Sequence, residues 1–246
     1  MKHQTNWHKT LTDPSAYTSN WDWTVDNSEY HFDDNIQDKP GDWFEVLGRF
    51  NGDWQAERDA LVSATNPVNW ETRKYYGESE DKSPMLEQEE YDIAQGGGDP
   101  KGLMLTNMND DWSDFPTLYK IMDYFGLEVG GVSGAKKRAH VQLTGQMFNR
   151  HIDKLWDRCP EDPERVARIT IMLDDWQPGH FYIYGNCVYS HWRAGEVHIF
   201  DWANVPHATS NASNTPRAVL QITGLKTDRT REILATANKD SVFKLA

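Results

Sequence analysis

The sequence predicts a mainly β fold of the sandwich or jelly-roll type, with helices before and after the strands. Three observations indicate this class: apolar residues recur with period two from Ala139 onward, turn-forming residues separate most of the alternating pieces, and helical periods occur outside this run. Short strands strung together in this way are typical of jelly rolls. The eight strand-like pieces are residues 139–145, 147–153, 167–173, 180–186, 187–192, 196–202, 206–211 and 217–224.

Three segments outside this run have helical patterns. Residues 52–65 predict a helix that begins near an Asp cap, and residues 227–240 predict a closing helix. In residues 115–126, apolar side chains repeat at helical spacing and predict a core-facing helix. Residues 77–102 are acidic, contain Pro and Gly and lack a sustained apolar period, so they predict a long loop or lid.

The chain of 246 residues is long enough to bury a sizeable core as one domain with elaborations. We expect a single domain over residues 1–246. Residues 1–135 form an N-terminal elaboration of helices and loops, residues 136–225 form the β core, and residues 226–246 form a helical tail.

Composition excludes several classes of protein. The formal net charge of −13 argues against a surface that follows nucleic-acid phosphates. No apolar run reaches the roughly 18 residues of a membrane span, and the N-terminus lacks the apolar stretch of a secretory signal, so a cytoplasmic location is expected. Cys159 and Cys187 are 28 residues apart, which predicts free thiols rather than a zinc site.

A His and an Asp two residues apart, His151 and Asp153, lie in the second strand-like piece. Residues i and i+2 of a strand share a face, so both side chains can meet one cation. The same pattern at His31 and Asp33 has no strand pattern after it and is interpreted as a solvated loop. His207, 54 residues after Asp153, is the best candidate for a second imidazole. Two His and one carboxylate leave three positions of an octahedron open, as in non-haem Fe(II) oxygenases.

Alternative interpretations apply to other polar residues of the core. His180, His191 and His198 are rival ligands, although a His in such a strand is more often a satisfied core or surface residue. Asp201 is more typical of a residue that caps a turn.

Arg217 follows His207 by ten residues and stands in an otherwise apolar strand. A buried guanidinium without a partner is costly, and a carboxylate that accepts two hydrogen bonds is its natural partner. A dicarboxylate with a keto group fits a pocket of this kind, because it chelates a metal at one end and pairs with arginine at the other.

The pattern His-x-Asp, His and Arg resembles the Fe(II)/2-oxoglutarate-dependent dioxygenases, which have a double-stranded β-helix core. Within that superfamily, residues 191–220 are most similar to the aspartyl/asparaginyl β-hydroxylase group. The resemblance covers about residues 140–225, and Asp153 departs from it because that group tends to have Gly there. The matching residues of this sequence are Trp192, Gly195, Val197, Phe200, Asp201, His207 and Arg217.

The resemblance implies a role for each candidate residue. His151, Asp153 and His207 would bind Fe(II), and Arg217 would bind the distal carboxylate of the co-substrate 2-oxoglutarate. A hydroxyl usually assists such an arginine, and the candidates on neighbouring pieces are Tyr182, which we rank first, Tyr184 and Thr170. Asn149 precedes His151 by two residues, so the strand period places it on the same face.

The reaction implied is the oxidation of a C–H bond by O2, with conversion of 2-oxoglutarate to succinate and CO2. Halogenating members of the superfamily lack the carboxylate ligand, so Asp153 favours hydroxylation. The expected substrate is an amino acid, a peptide or protein side chain, or a small metabolite, and the acidic chain favours a basic one. Two alternatives stay open: a cupin-like metalloenzyme that does not use 2-oxoglutarate, and a non-catalytic jelly-roll binding module. The sequence leaves the oligomeric state open.

Overall fold

The structure is a computed structural model that describes residues 44–64, 105–107, 112–128, 136–153, 155, 158–185, 187–203 and 205–245. The predicted lid at 77–102 and the His31-x-Asp33 motif lie outside the described residues. Within the described residues there are eleven strands, three α-helices and one 3₁₀ helix, Pro163–Arg165. The strands are β1 (Phe44–Phe50), β2 (Leu105–Asn107), β3 (Lys136–Gln142), β4 (Met147–His151), β5 (Val166–Met172), β6 (His180–Tyr184), β7 (Cys187–Tyr189), β8 (Glu196–Phe200), β9 (His207–Asn211), β10 (Arg217–Leu225) and β11 (Val242–Phe243). The helices are α1 (Gln55–Ala64), α2 (Pro116–Asp123) and α3 (Asp228–Thr236).

The strands form two sheets. The larger has the order β11-β1-β8-β5-β10-β3-β2, and the smaller has the order β4-β9-β6-β7. Strands β3, β5, β8 and β10 lie in the larger sheet and β4, β6, β7 and β9 in the smaller, so the chain passes repeatedly from one to the other. This is the double-stranded β-helix, and the predicted fold class is confirmed. The eight predicted strand-like pieces correspond to β3–β10.

Three strands that the sequence pattern does not predict extend the larger sheet. In β1 a register shift between Val46 and Gly48 breaks the period-two alternation, which hides the strand in the sequence. Strands β2 and β11, of three and two residues, are too short to show any period. Strand β11 pairs with β1 in parallel, and the other pairings in both sheets are antiparallel.

The three predicted helices are confirmed, and one side of the larger sheet packs against helical residues. Leu118 and Ile121 of α2 belong to the same fully buried cluster as Ile169 of β5 and Leu220 of β10. The carboxylate of Glu57, on α1, accepts hydrogen bonds from two backbone N–H groups in the first turn of α2. Because these apolar residues cover the outer side, polar residues on the opposite side of the sheet face the space between the sheets.

Gly195 lies in the turn before β8 and has φ +84°. A Cβ atom there would lie 2.3 Å from the carbonyl oxygen of Phe50, which is too close for any residue with a side chain. The turn therefore requires glycine to bring β1 and β8 together. No helix within the described residues is long and apolar enough to cross a membrane.

Candidate active site

Strands β4 and β9 of the smaller sheet bring the three predicted metal ligands together. His151 ends β4 and is the register partner of His207, the first residue of β9. Nε2 of His151 lies 3.6 Å from Oδ1 of Asp153, and Nε2 of His207 lies 3.7 Å from Oδ2 of the same carboxylate. One ligand atom from each residue falls within 4.8 Å of the others, a grouping that could hold a metal ion.

The sequence pattern predicts Asp153 on the strand, but β4 ends at His151. A register irregularity between Phe148 and His151 also breaks the alternation of β4. The carboxylate reaches the two imidazoles from beyond the strand end, so the expectation that i and i+2 share a face does not explain the grouping.

His207 has the protonation and orientation that a metal ligand requires. Burial, together with the neighbouring His151, lowers the pKa of His207 to about 3, so the ring is neutral at physiological pH. Nδ1 lies 3.3 Å from the carbonyl oxygen of Val205, to which only an N–H can donate. The proton is therefore on Nδ1, and Nε2 presents its lone pair towards Asp153.

Asp153 is paired with an arginine that the sequence analysis did not single out. Nη1 of Arg168 donates to Oδ2 of Asp153, and Nε of Arg168 donates to Oγ1 of Thr223 at 3.1 Å. Burial alone would raise the pKa of the Asp153 carboxyl, but Arg168, His207 and His151 lower it well below its usual range. The signal was present in the sequence, since Arg168 stands in an apolar strand just as Arg217 does.

Arg217 is 2% exposed and makes three hydrogen bonds. Nη1 donates to the carbonyl oxygens of Phe181 at 2.9 Å and Ser210 at 3.4 Å, and Nη2 donates to Oε1 of Gln142. A guanidinium has five N–H groups, so two have no acceptor among the described residues. All three acceptors are neutral, and no carboxylate in the described part of the chain forms an ion pair with Arg217.

Tyr182 contacts Arg217 with its ring, because Cζ of the guanidinium lies 4.4 Å from the ring centroid. The ring of Tyr182 in turn packs against that of Tyr184, with 5.9 Å between their centroids, and the ring of Tyr184 packs against that of His207, with 6.1 Å between theirs. The predicted metal ligands and Arg217 are thus joined by one row of aromatic side chains.

The other two predicted co-substrate residues lie farther away or outside the described part. Thr170 is buried on β5, and its register partner on β10 is Gln221, four residues from Arg217. Four strand residues span about 13 Å of backbone, so Thr170 is not adjacent to Arg217. Asn149 belongs to β4, but its side chain lies outside the described residues.

The rival histidines have other surroundings, and none of them belongs to the grouping of ligand atoms found among the described residues. Nε2 of His198 lies 2.7 Å from the hydroxyl of Tyr184, and Nε2 of His180 lies 3.2 Å from the carbonyl oxygen of Thr215. His191 is exposed and has φ 61°.

No protein-family model and no curated protein matches the sequence. Among solved structures, the chain is similar to a prolyl-4-hydroxylase from Pseudomonas putida, with 14% identity and a TM-score of 0.40 over 78% of this chain and 97% of that one. It is similar to a viral collagen prolyl hydroxylase from Paramecium Bursaria Chlorella virus-1 in complex with 2OG, with 12% identity and a TM-score of 0.36 over 76% and 98%. A Cupin 2 conserved barrel domain protein from Salinispora arenicola matches with 10% identity and a TM-score of 0.28 over 44% and 78%. These similarities concern the fold, and they do not by themselves indicate an activity.

Proposed function

We propose that this protein is an Fe(II)- and 2-oxoglutarate-dependent oxygenase that hydroxylates a C–H bond. The observation that carries the proposal is the presence of two features that one row of aromatic side chains joins. One is the convergence of His151, Asp153 and His207, and the other is the buried Arg217 with two N–H groups that have no acceptor among the described residues.

The donor set fits Fe(II). Two imidazoles and one carboxylate leave three positions of an octahedron for other ligands. The bond from Nδ1 of His207 to the carbonyl oxygen of Val205 orients that ring before any metal binds. When bound, iron and 2-oxoglutarate supply the oxidation of the C–H bond by O2, and the protein supplies binding, orientation and exclusion of water.

Arg217 fits the distal carboxylate of 2-oxoglutarate. A carboxylate accepts two parallel hydrogen bonds from a guanidinium. Arg217 has two N–H groups that have no acceptor among the described residues, so the numbers match. Its negative charge would also balance a cation that is 2% exposed and has only neutral acceptors in the described part of the chain. The ring of Tyr182, against the guanidinium, restrains its plane.

Aromatic residues pack against His207 on the metal side of the site. The ring of Phe200 lies 4.7 Å from that of His207, and Tyr184 stacks against His207 from another strand. Aromatic surface beside His207 would lower the local dielectric constant and so strengthen the electrostatic interactions of this ligand. The prime substrate is proposed to be an amino acid, a peptide or protein side chain, or a small metabolite, as the likeness of residues 191–220 to the aspartyl/asparaginyl hydroxylases suggests.

The test is the visible charge-transfer band that an Fe(II)–2-oxoglutarate chelate produces in the absence of O2. We expect the band in the wild-type protein, a weakened or shifted band in Asp153→Ala, and a band in Arg217→Ala only at much higher 2-oxoglutarate. His31→Ala is a matched control, since His31 belongs to the other His-x-Asp motif and should leave the band unchanged.

The outcomes separate the alternatives. Iron binding without a 2-oxoglutarate band would support a cupin-like metalloenzyme of another class. No metal binding at all would support a binding module. A band that persists unchanged in both Asp153→Ala and Arg217→Ala would overturn the assignment of these residues.

A further inference from the structure

Arg168 lies behind the predicted metal ligands, on the side of β5 that faces the pocket. It is 9% exposed and holds two partners at once: Nη1 donates to Asp153, and Nε donates to Thr223 at 3.1 Å. Thr223 is the register partner of Arg168 on β10 and is itself 4% exposed. The guanidinium therefore binds Thr223 of the larger sheet on one side and the carboxylate of Asp153 on the other.

Asp153 needs such a support because of where it lies. It follows the end of β4, so the hydrogen bonds between β4 and β9 do not hold its backbone in register. Its two oxygens have different neighbours: Oδ2 accepts from Arg168 and lies 3.7 Å from Nε2 of His207, while Oδ1 lies 3.6 Å from Nε2 of His151. The arginine thus determines which carboxylate oxygen faces the first imidazole.

We propose that Arg168 is a positioning residue for the metal site. It holds Oδ2 of Asp153 by a charge-assisted hydrogen bond, so that Oδ1, beside His151, would be the stronger donor to a metal and binding through both oxygens would be disfavoured. This inference rests on the part of the proposed function that makes Asp153 a ligand, and it does not depend on 2-oxoglutarate or on any substrate.

A purely electrostatic role for Arg168 predicts the opposite sign. A guanidinium close to a divalent cation repels it, so removing the charge alone would tighten metal binding. Loss of an orienting contact to a ligand weakens metal binding, typically by 10–100-fold. The direction of the change therefore distinguishes positioning from charge.

The experiment is a titration of the full-length protein with Co(II), followed by its visible d–d absorption. We expect Arg168→Met to weaken Co(II) binding by roughly 10–100-fold and to change the band intensities, because the carboxylate is no longer restricted to one oxygen. Arg168→Lys keeps the charge but cannot span Asp153 and Thr223 together, so it should fall between the wild type and Arg168→Met. Thr223→Val removes only the anchor of Arg168, and a smaller change in the same direction is expected.

Tighter or unchanged Co(II) binding in folded Arg168→Met would overturn the inference. If Arg168→Met does not fold, Thr223→Val decides, and wild-type affinity with a wild-type spectrum in that variant would overturn it. Asp153→Ala separates this failure from failure of the proposed function. If the wild type and Asp153→Ala bind Co(II) equally, Asp153 is not a ligand and both proposals fall. If only Asp153→Ala is impaired, the metal site stands without a role for Arg168.

Discussion

Two buried arginines face the space between the sheets, and their partners differ. Arg168 is balanced by the carboxylate of Asp153, whereas Arg217 has only neutral acceptors among the described residues. Burial lowers the pKa of Arg217, because a charge in the interior loses its hydration. Because the charge persists at any physiological pH, an anionic ligand is the expected way to balance it.

Arg217→Met should weaken 2-oxoglutarate binding to the metal-loaded protein by roughly 10–100-fold, since hydrogen bonds to charged groups contribute about 1.5–3 kcal/mol. Arg217→Lys keeps the charge but loses the paired N–H groups, so we expect partial binding. Calorimetric titration with 2-oxoglutarate measures both. The affinity for Co(II) alone should stay at the wild-type value, and equal 2-oxoglutarate affinity in all three proteins would contradict the role of Arg217.

Neutral buried histidines make the stability of the metal-free protein depend on pH. Burial lowers the pKa of both His198 and His207 to about 3, while an unfolded His titrates near 6.5. Between these values the unfolded chain binds protons that the folded chain does not, so stability falls as the pH decreases. The lowered pKa of Asp153 acts in the same direction, below pH 4.

We therefore expect the free energy of unfolding of the metal-free protein to decrease from pH 7.5 to pH 5, by up to about 1.4 kcal/mol per pH unit for each histidine. The midpoint of urea unfolding should decrease with it. His198→Phe should show a shallower fall, whatever its stability at pH 7.5. A midpoint that is flat or rises on acidification would contradict the neutral, buried state of these rings.

At the scale of elements, a side chain of helix α1 stabilises the start of strand β10, which carries Arg217. Nε of Arg58 lies 2.6 Å from Oδ1 of Asp174, and Nη2 donates to the carbonyl oxygen of Pro216 at 3.0 Å. The other oxygen of Asp174 accepts from the backbone N–H of Ala218 at 2.7 Å. The backbone on both sides of Arg217 is thus held by one partly buried ion pair.

Arg58→Met should destabilise the protein by about 1–3 kcal/mol, because it leaves a mostly buried carboxylate without its cation. A smaller loss of 2-oxoglutarate affinity than in Arg217→Met should accompany it. Asp59→Asn is the matched control, since Asp59 is the exposed partner of the same arginine and exposed pairs contribute little. Equal thermal midpoints in the two variants would contradict the anchoring role of the Arg58–Asp174 pair.

Element boundaries show where periodicity succeeds and where it fails. The helical spacing of Leu118, Ile121 and Met122 predicts α2 because one face of that helix is buried. The alternation of β1 is lost at its bulge, and no local pattern indicates that this strand joins β8. Pairing partners depend on the register between distant segments, which a single strand does not encode.

At the scale of the whole molecule, the net charge of −13 bears on the prime substrate. We expect a basic peptide to bind more tightly than a neutral analogue of the same length, and its affinity to fall as NaCl increases from 20 to 300 mM, since salt screens surface charges beyond about a Debye length. Fluorescence anisotropy of labelled peptides measures both. Binding without any dependence on ionic strength would remove the reason for preferring basic substrates.

Some expectations stay predictions. They are the lid at 77–102, the single-domain boundaries, the cytoplasmic location and the closer kinship with the aspartyl/asparaginyl group.

The sequence by itself determined the fold class, the eight core strands and the three helices, because burial of one face imposes a local period on the residues. It also indicated His151, Asp153, His207 and Arg217, since charged and imidazole side chains in apolar strands need partners. Chemistry that a residue type demands, such as a carboxylate for a guanidinium, can be read from the chain alone.

The tertiary structure decided which of these residues meet. It divided the strands between two sheets, placed Asp153 beyond the end of β4, and paired it with Arg168 across 15 positions of sequence. It also set the tautomer of His207 through Val205 and placed the ring of Tyr182 against Arg217. These features depend on distances between side chains from different strands, which only the register and packing of the folded chain determine.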